Sequence, residues 1–547
     1  MEPFALLDDA QGGTLELLDD LARVDPVDPD TLDDALNDGW ARGWRSLAWL
    51  PYEWGKVDGG VYWFARTAAL DAFPASSPGH LSPLTPDITQ ADHGAAVAIL
   101  HEAIAAGDSY QVNYTFRLRG RLTGDPVGLY RRLRLRQPTP FGLLAHLPEP
   151  ADPWTLSLSP ELFLRVEGDQ VTARPMKGTA TADLPPTALS ADPKNRAENL
   201  MIVDLLRNDL SRVADGVEVV DLFGVERVGD LWQMSTTVQG RLRPDVTPAS
   251  LLRATFPCGS ITGAPKLSSM DLISRVEASP RGIYTGALGT IDPGGMRLSV
   301  AIRTLTVDAA SNATLGIGAG IVADSVAALE WEESLAKATF TRPPILKEAL
   351  RVIDGVAPLK AFHEKRLSAA ANELGYPLPD NCIDDAVRDT PPGLWRLGLD
   401  VASDGTVEVT RSPLVPVQDV TVLLAQRPWP VGPLTHLKTS ERAHLDEAWR
   451  GAELFGAFDA IGFDEAGLVL EGGRCNVFAL LDGRWVTPRA GMLPGVQRAA
   501  VLDDPSLLGT DRIDEVDLVV ADLRRADRIV VTNAVRGILN AHLEERP

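Results

Sequence analysis

The sequence predicts two domains of α/β composition, of the α+β kind, with antiparallel sheets and flanking helices. Three observations lead there. The chain has 547 residues, and a single hydrophobic core rarely serves more than about 250. From about Phe4 to Phe340, short β-rich runs mix with a few strongly periodic helices, without internal repeats or low-complexity tracts. At "TFTRPPILKEALRVIDG" (Thr339 to Gly355) a Pro-Pro pair ends a helix and a new strand begins. That sets a boundary near Arg342 to Leu346, so the expected domains are residues 1–342 and 346–547.

The clearest helix of the first domain has Asp192 as its cap and Pro193 in its first turn. Its apolar positions are Leu200, Val203, Leu206, Leu210 and Val213, and Gly216 is its stop. A second helix is expected from near Asp324 to about Thr339, and "RLSVAIRTLTV" (Arg297 to Val307) alternates as one strand. In the second domain, Asp354-Gly355 reads as a hairpin turn. Helices are expected at "FHEKRLSAAANELG" (Phe362 to Gly375) and "SERAHLDEAWRGAELFG" (Ser440 to Gly456), and a strand pair in "LVLEGGRCNVFALLDGRWVTP" (Leu468 to Pro488).

Composition narrows the function. A net charge of −23 argues against nucleic-acid or anionic-membrane partners, which need basic surfaces. Cys258, Cys382 and Cys475 are scattered, without disulfide-framework or zinc spacing, which fits a reducing cytosol. The acidic start lacks a signal-peptide n-region and no apolar run reaches about 18 residues, so a soluble, untargeted cytoplasmic protein is expected.

Several residues point to chemistry. In "RPMKGTATAD", Lys177 is either a surface charge in a turn or a reacting group. Glu198 lies on the first helix with Ile202 and Leu205 on the same face, where a carboxylate needs a basic partner or a cation. "ALEWEESLAKA" places Glu330, Glu333 and Lys337 on one face, either as a solvated salt-bridge row or as part of a site. Carboxylates converging from separate helices would suit Mg²⁺, which takes few of them together with substrate oxygens. The glycine-rich segments "PCGSITGAPK" and "GIGAGIVADS" could offer N–H groups to an anion or form plain tight turns; neither has phosphate-loop or dinucleotide spacing. Arg303, close before the second, could clamp a carboxylate.

The ordered set "YQVNYTFRL", "SPELFL", "MKGT", "RAENLMIVDLLRNDLSRV", "GSITGAPK", "PRGIYTGALG", "LSVAIRT" and "GAGIVADS...LEWEESLAKA" resembles the chorismate-utilising enzymes over roughly Gly107 to Ala338. That family includes anthranilate, isochorismate, salicylate and aminodeoxychorismate synthases. Lysine in the "P-x-K-G-T" motif resembles the aminodeoxychorismate synthases; anthranilate synthases carry a small residue there. The resemblance implies that Lys177 attacks C2 of chorismate and expels the C4 hydroxyl, after which ammonia adds at C4 and displaces the lysine. Glu161 would be the general acid/base, and Glu198 and Glu333 would hold Mg²⁺. Thr262, Tyr284, Arg303, Lys337 and the Gly318-Ala319-Gly320 backbone would hold the substrate carboxylates. An unmodified lysine is only about one part in 10³ neutral at pH 7, roughly 4 kcal/mol from its nucleophilic form, so its surroundings must lower its pKa. Two positions depart from the relatives: Gln233 stands where anthranilate synthases have histidine, and Asn195 replaces an acidic residue. With no glutaminase motif in the sequence, ammonia is expected from a separate glutamine amidotransferase.

The second half offers weaker signals: Lys438 before a helix, Glu471 at a strand end, "MLPGVQRAAVL" opening a helix whose first N–H groups could bind phosphate, and Thr532-Asn533 at a strand end. Together with "H-x-x-R-L" (His363, Arg366, Leu367), they resemble the fold-type IV pyridoxal-phosphate enzymes from Ile345 onward. The resemblance implies that Lys438 binds the cofactor covalently and that Glu471 keeps its pyridine nitrogen protonated. Phosphate would rest on Arg366, the Val496 and Gln497 N–H groups, Thr532 and Asn533. His444 lies where relatives often carry tyrosine. Such enzymes include aminotransferases and the aminodeoxychorismate lyases, which consume the product expected of the first half and release pyruvate and 4-aminobenzoate. They commonly dimerise, so a homodimer through this domain is the expectation.

Overall fold

The computed structural model describes residues 2–544 other than 75, 78, 182–184, 229–230, 430 and 432–433. The chain divides into two compact units, Met1–Arg342 and Pro343–Pro547.

One long antiparallel ladder organises the first unit. Gln111–Gly124 pairs with Asn312–Ile321, and the ladder continues through Thr304–Val307, Trp154–Ser159, Phe141–His146, Phe4–Asp9, Thr14–Val27, Gly59–Ala69 and Arg45–Leu50. It then runs through Ala287–Asp292, Gly295–Val300, Leu162–Glu167, Gln170–Arg174, Leu231–Leu242 and Ala214–Val228. A twisted ladder of this length folds on itself, and Ala5, Leu18, Leu47, Tyr62, Phe64, Leu143 and Leu288 meet in one buried core.

Helices cover the remaining faces. In Pro193–Ser211, Asp192 caps by accepting the Asn195 N–H at 2.7 Å, and Val203, Leu206 and Leu210 pack with Phe163, Val171, Val238 and Leu252. Burial of each such side chain contributes about 1.5–3 kcal/mol. Pro126–Arg136 and Ala327–Ala336 cover a second core, where Trp331 stacks on Phe116 with centroids 4.9 Å apart.

Four local expectations of the first unit need correction. The first helix ends at Ser211, five residues before Gly216, which instead takes φ +61° in the strand Ala214–Val228 where the register shifts. The buried stripe of that helix is Asn199, Ile202, Val203, Leu206 and Leu210, one step round from Leu200, which is exposed. The expected strand Arg297 to Val307 is two strands, Gly295–Val300 and Thr304–Val307, broken where Arg303 adopts φ +50°. The second helix is shorter than expected, Ala327–Ala336, followed by a 3₁₀ turn at Thr339–Thr341.

In the second unit, Leu346–Ile353, Leu394–Val401 and Val407–Pro413 form an antiparallel sheet. Helices Lys360–Leu374 and Cys382–Arg388 pack on it through Leu350, Val352, Leu367, Ala371, Leu397 and Leu399. An eight-stranded mixed sheet follows, ordered Val469–Gly472, Asp459–Phe463, Val420–Leu424, Gly537–Glu544, Arg528–Asn533, Asn476–Leu481, Arg484–Pro488, Ile513–Val516. Asp354-Gly355 does form a tight turn, both residues at positive φ, but only Ile353 and Val356 bridge across it. Pro358 cannot extend a returning strand, and Leu346–Ile353 pairs with Leu394–Val401 instead. The helix expected from Ser440 begins at Ala443. Among the described residues no helix is long and apolar enough to cross a membrane.

Candidate active sites

Lys177 lies in the strand Met176–Thr181, not in a turn. That strand pairs with Leu231–Leu242 at Met176–Ser235 and Thr179–Gln233, so Lys177 and Gly178 form a bulge with one residue too many. A bulge re-aims a side chain, and Gly178 permits it by taking φ +92°, with its would-be Cβ 3.1 Å from Asn195 Oδ1. Burial pulls the Lys177 ammonium below its ordinary range, as does Lys337; Glu198, Glu161 and Glu333 act in the opposite sense. Charged side chains from two helices and a turn therefore converge on one amine.

Glu161, in the turn between Trp154–Ser159 and Leu162–Glu167, is almost fully buried. Burial pushes its carboxyl up to about 7, against a bond in which Ser260 Oγ donates to Oε1 at 2.6 Å and against the Lys177 charge. It can give or take a proton near neutrality. Ser260 was not singled out from sequence, although it stands in the quoted "GSITGAPK". Lys266 of the same segment pairs with Asp209 at 2.5 Å and donates to Thr255 O at 2.8 Å, fastening the segment to the helix that carries Glu198.

The expected carboxylate contacts divide. Arg303 has a buried Nη1 without a partner among the described residues, and burial lowers its pKa to about 10, so an incoming anion would satisfy it. Gly318, Ala319 and Gly320 lie in Asn312–Ile321, opposite Thr115, Tyr114 and Asn113. Thr304–Val307 pairs with that strand only up to Leu315. Close chain packing also demands the glycines: a Cβ at Gly318 would lie 2.3 Å from Tyr114 O, and one at Gly316 would lie 2.1 Å from the Tyr284 ring. Lys337 Nζ donates to Gly318 O at 2.8 Å and pairs with Glu333 at 2.9 Å. Thr262 Oγ1 turns back on Cys258 O and Gly259 O at 3.1 and 3.2 Å. Tyr284 is buried under the Arg117 guanidinium, which stands 5.3 Å from its ring centroid. Sequence reasoning passed over Gln111, in the quoted "YQVNYTFRL", which is fully buried beside Gly320 with both amide atoms unpaired among the described residues.

Glu330 is set apart from Glu333: it is buried and accepts Ser325 Oγ at 2.7 Å, bracing the helix start. Among the described residues no three His, Cys, Asp or Glu side chains cluster as a metal cage. Two carboxylates, Glu198 and Glu333, that both act on Lys177 match the donor set of Mg²⁺, which keeps water and substrate oxygens as its other ligands. A cavity of about 240 Å³ bounded by Leu7, Glu16, Arg45 and Ser299 includes none of these residues.

In the second unit, Lys438 is tied to the first strand: Lys347 N donates to Lys438 O at 2.8 Å, and Leu346 bridges Thr439. Burial lowers its ammonium to about 7, helped by Arg442 and Arg366 and opposed by Glu348 and Glu471. Glu471, next to last in the strand Val469–Gly472, accepts the Leu493 N–H at 2.9 Å and is pushed up to about 8 by burial. Arg366 engages Glu348 through Nε at 2.9 Å and Nη2 at 2.6 Å, while His363 Nδ1 meets the same carboxylate at 2.6 Å. Gly495 starts the helix Val496–Asp503, where any side chain would strike Asn476 Oδ1. Thr532 Oγ1 is buried without a partner among the described residues. Asn533 differs from the expectation in part, because its Oδ1 is engaged by the Val535 and Arg536 N–H groups at 3.1 and 2.6 Å. His444 packs edge-on to Trp429. An orphaned hydroxyl, a helix N-terminus, an arginine and a lysine of lowered pKa fit pyridoxal phosphate, whose phosphate needs donors and whose aldehyde needs a neutral amine.

Comparison with known proteins matches each of the two units to a family. Residues 64–343 match the family described as chorismate binding enzyme, and residues 346–543 match amino-transferase class IV, whose fold implies pyridoxal phosphate. Anthranilate synthase component 1 of Streptomyces coelicolor is 40% identical over 263 residues, 46% of this chain and 51% of that protein. The 2-amino-4-deoxychorismate synthase of Streptomyces globisporus is 39% identical over 291 residues, 52% of this chain and 57% of the other. Aminodeoxychorismate synthase component 1 of Klebsiella aerogenes is 39% identical over 261 residues, 46% and 57%. The chain thus spans about half the length of the curated relatives it matches. Among solved structures, anthranilate synthase component I of Streptococcus pneumoniae superposes with a TM-score of 0.51 at 26% identity, covering 62% of this chain and 91% of that one. The menaquinone-specific isochorismate synthase of Escherichia coli gives 0.54 at 16% identity, covering 62% and 88%, a likeness of fold. With the first match extending over just over half its residues, the chain belongs to the chorismate binding enzyme family and carries an amino-transferase class IV domain behind it.

Proposed function

We propose that the chain makes 4-aminobenzoate in two steps, in the cytoplasm and as part of folate synthesis. The first unit aminates chorismate at C4 to 4-amino-4-deoxychorismate; the second eliminates pyruvate from that product. The observation that carries the reading is the bulged Lys177, depressed by burial and by Lys337, beside Glu161 at about 7. Its neutral amine would form a bond to C2 of chorismate as the C4 hydroxyl leaves with a proton from Glu161. Ammonia would then bond to C4 and the lysine would depart from C2, so that the sum is chorismate plus ammonia giving the amine plus water. Arg303 and Lys337 would hold the carboxylates. Mg²⁺ on Glu198 and Glu333 would neutralise the ring carboxylate, a Lewis-acid and template role. Relatives named for this activity, one of them as component 1, support both the substrate and a separate glutamine amidotransferase that delivers ammonia.

In the second unit, Lys438, at about 7, would take the proton from C4 of the amine, and loss of pyruvate would aromatise the ring. Bound pyridoxal phosphate would supply the electron sink; Arg366, Thr532 and the helix start at Val496 and Gln497 would hold its phosphate, and Glu471 its ring nitrogen. A homodimer through this unit belongs to the same reading. Incubation of the purified chain with chorismate, an ammonium salt, Mg²⁺ and pyridoxal phosphate is the test. Pyruvate and 4-aminobenzoate support the reading. 2-Aminobenzoate or isochorismate rejects the first step, and 4-amino-4-deoxychorismate that accumulates rejects the second.

A further inference from the structure

Three arginines of the second unit stand together, and among the described residues none has an acidic partner. Arg351 and Arg396 face each other in the antiparallel register of Leu346–Ile353 and Leu394–Val401. Arg351 Nη1 lies 3.3 Å from where a Cβ would stand on Gly537, the residue after Arg536, and among the described residues the buried Arg351 Nε has no partner. Burial, with Arg474 and Arg396 nearby, holds the Arg536 guanidinium below its ordinary range. Arg536 donates to the Val415 carbonyl, and among the described residues none of the three forms an ion pair. Arg474, by contrast, pairs with Glu453 at 3.1 Å and lies over Trp449.

Like charges directly opposite on paired strands destabilise a sheet. In a chain with 75 acidic and 52 basic side chains, a carboxylate to neutralise them is the commonest group available, and among the described residues none pairs with them. The strand that carries Arg351 holds Lys438 through Lys347 N, and strand alternation puts Lys347 and Arg351 on one face and Glu348 on the other. Arg536 closes the turn that begins at Thr532-Asn533, through its own N–H on Asn533 Oδ1.

We propose that Arg351, Arg396 and Arg536 form a carboxylate-binding subsite that selects a dicarboxylate amine for the reaction at Lys438. The inference rests on the function proposed above, in which that amine is 4-amino-4-deoxychorismate. Guanidinium forks match carboxylates in a way that lysines do not. Elimination divides the two carboxylates between pyruvate and 4-aminobenzoate, so neither product keeps the full set of contacts, which favours release.

The full chain loaded with pyridoxal phosphate is assayed for pyruvate release from added 4-amino-4-deoxychorismate, beside Arg351→Met, Arg536→Met and Arg396→Glu. Each variant should raise KM about 10- to 100-fold with kcat nearly unchanged, and cofactor affinity followed by visible absorbance should hold. Arg396→Glu should also raise the thermal transition of the second unit, because it pairs with Arg351 across the strands, while still raising KM; a merely structural cluster would not separate the two. An unchanged KM overturns the inference. A parallel loss of cofactor affinity also overturns it, assigning the arginines to the phosphate. If the parent chain itself releases no pyruvate, the reading of the second unit fails and the substrate named here fails with it, an outcome visible before any variant is made.

Discussion

Replacing Glu161 by glutamine should stabilise the first unit while it ends turnover. Burial lifts the Glu161 carboxyl from its ordinary 4.5 to about 7. A carboxyl whose folded pKa is raised binds its proton more tightly in the folded state, so ionisation opposes folding. That penalty is absent below the unfolded value, grows as pH rises from about 4.5 to about 7, and is complete above it. The difference between 4.5 and about 7 corresponds to about 3 kcal/mol. Glutamine carries no charge, and its side-chain carbonyl can still accept the Ser260 Oγ hydrogen bond now made at 2.6 Å. Urea unfolding of the metal-free chain, following the transition of the first unit at about pH 5 and about pH 8, measures the effect. Glu161→Gln should exceed the parent by less than about 1 kcal/mol at the lower pH and by about 3 kcal/mol at the higher. A variant no more stable than the parent at the higher pH, or a gap that does not change with pH, would refute the reasoning. Amination should collapse at both pH values, because glutamine cannot transfer the proton.

Lys177→Ala should lower amination of chorismate by about 10³-fold or more and leave chorismate binding, followed by equilibrium titration, nearly intact; full activity would return Lys177 to a structural role. Lys438→Ala should lower pyruvate release by at least about 10²-fold, remove the visible absorbance of bound cofactor and spare the first step, read as accumulation of 4-amino-4-deoxychorismate. Glu348 is held near 2: burial pushes its carboxyl up, and Arg366 and His363 more than offset it. Its contribution to the second unit is therefore full above about 4.5 and is lost as pH falls through about 2. Glu348→Ala leaves Arg366 and His363 without their carboxylate and should cost about 3–5 kcal/mol at neutral pH, read by urea unfolding.

Much of this was legible in the chain. The Asp192 cap, the Pro193 start and the Val203–Leu206–Leu210 stripe follow from helical spacing, and the described helix has them. Gly216 misled because a glycine stops a helix and also relaxes a strand bulge, and only the partner strand Leu231–Leu242 decides between them. The break at Arg303 was hidden for a similar reason: an alternating run reads as one strand until one residue takes a positive φ. Lys177 was singled out by its motif, but no local signal shows that it sits in a bulge, because register belongs to two strands at once. Ser260 and Gln111 were inside quoted motifs and were passed over because small or neutral side chains carry no charge pattern. The arginine cluster was invisible, since Arg351, Arg396 and Arg536 meet only when three distant segments pair.

The central claim is that one chain carries chorismate to 4-aminobenzoate through C4 amination at Lys177 and pyruvate loss at Lys438. The most direct measurement follows the products of chorismate and ¹⁵N-labelled ammonia with the purified chain, Mg²⁺ and pyridoxal phosphate by mass and chromatographic mobility. The account predicts ¹⁵N-labelled 4-aminobenzoate with one pyruvate per ring; labelled 2-aminobenzoate, or an unlabelled isochorismate, would contradict it.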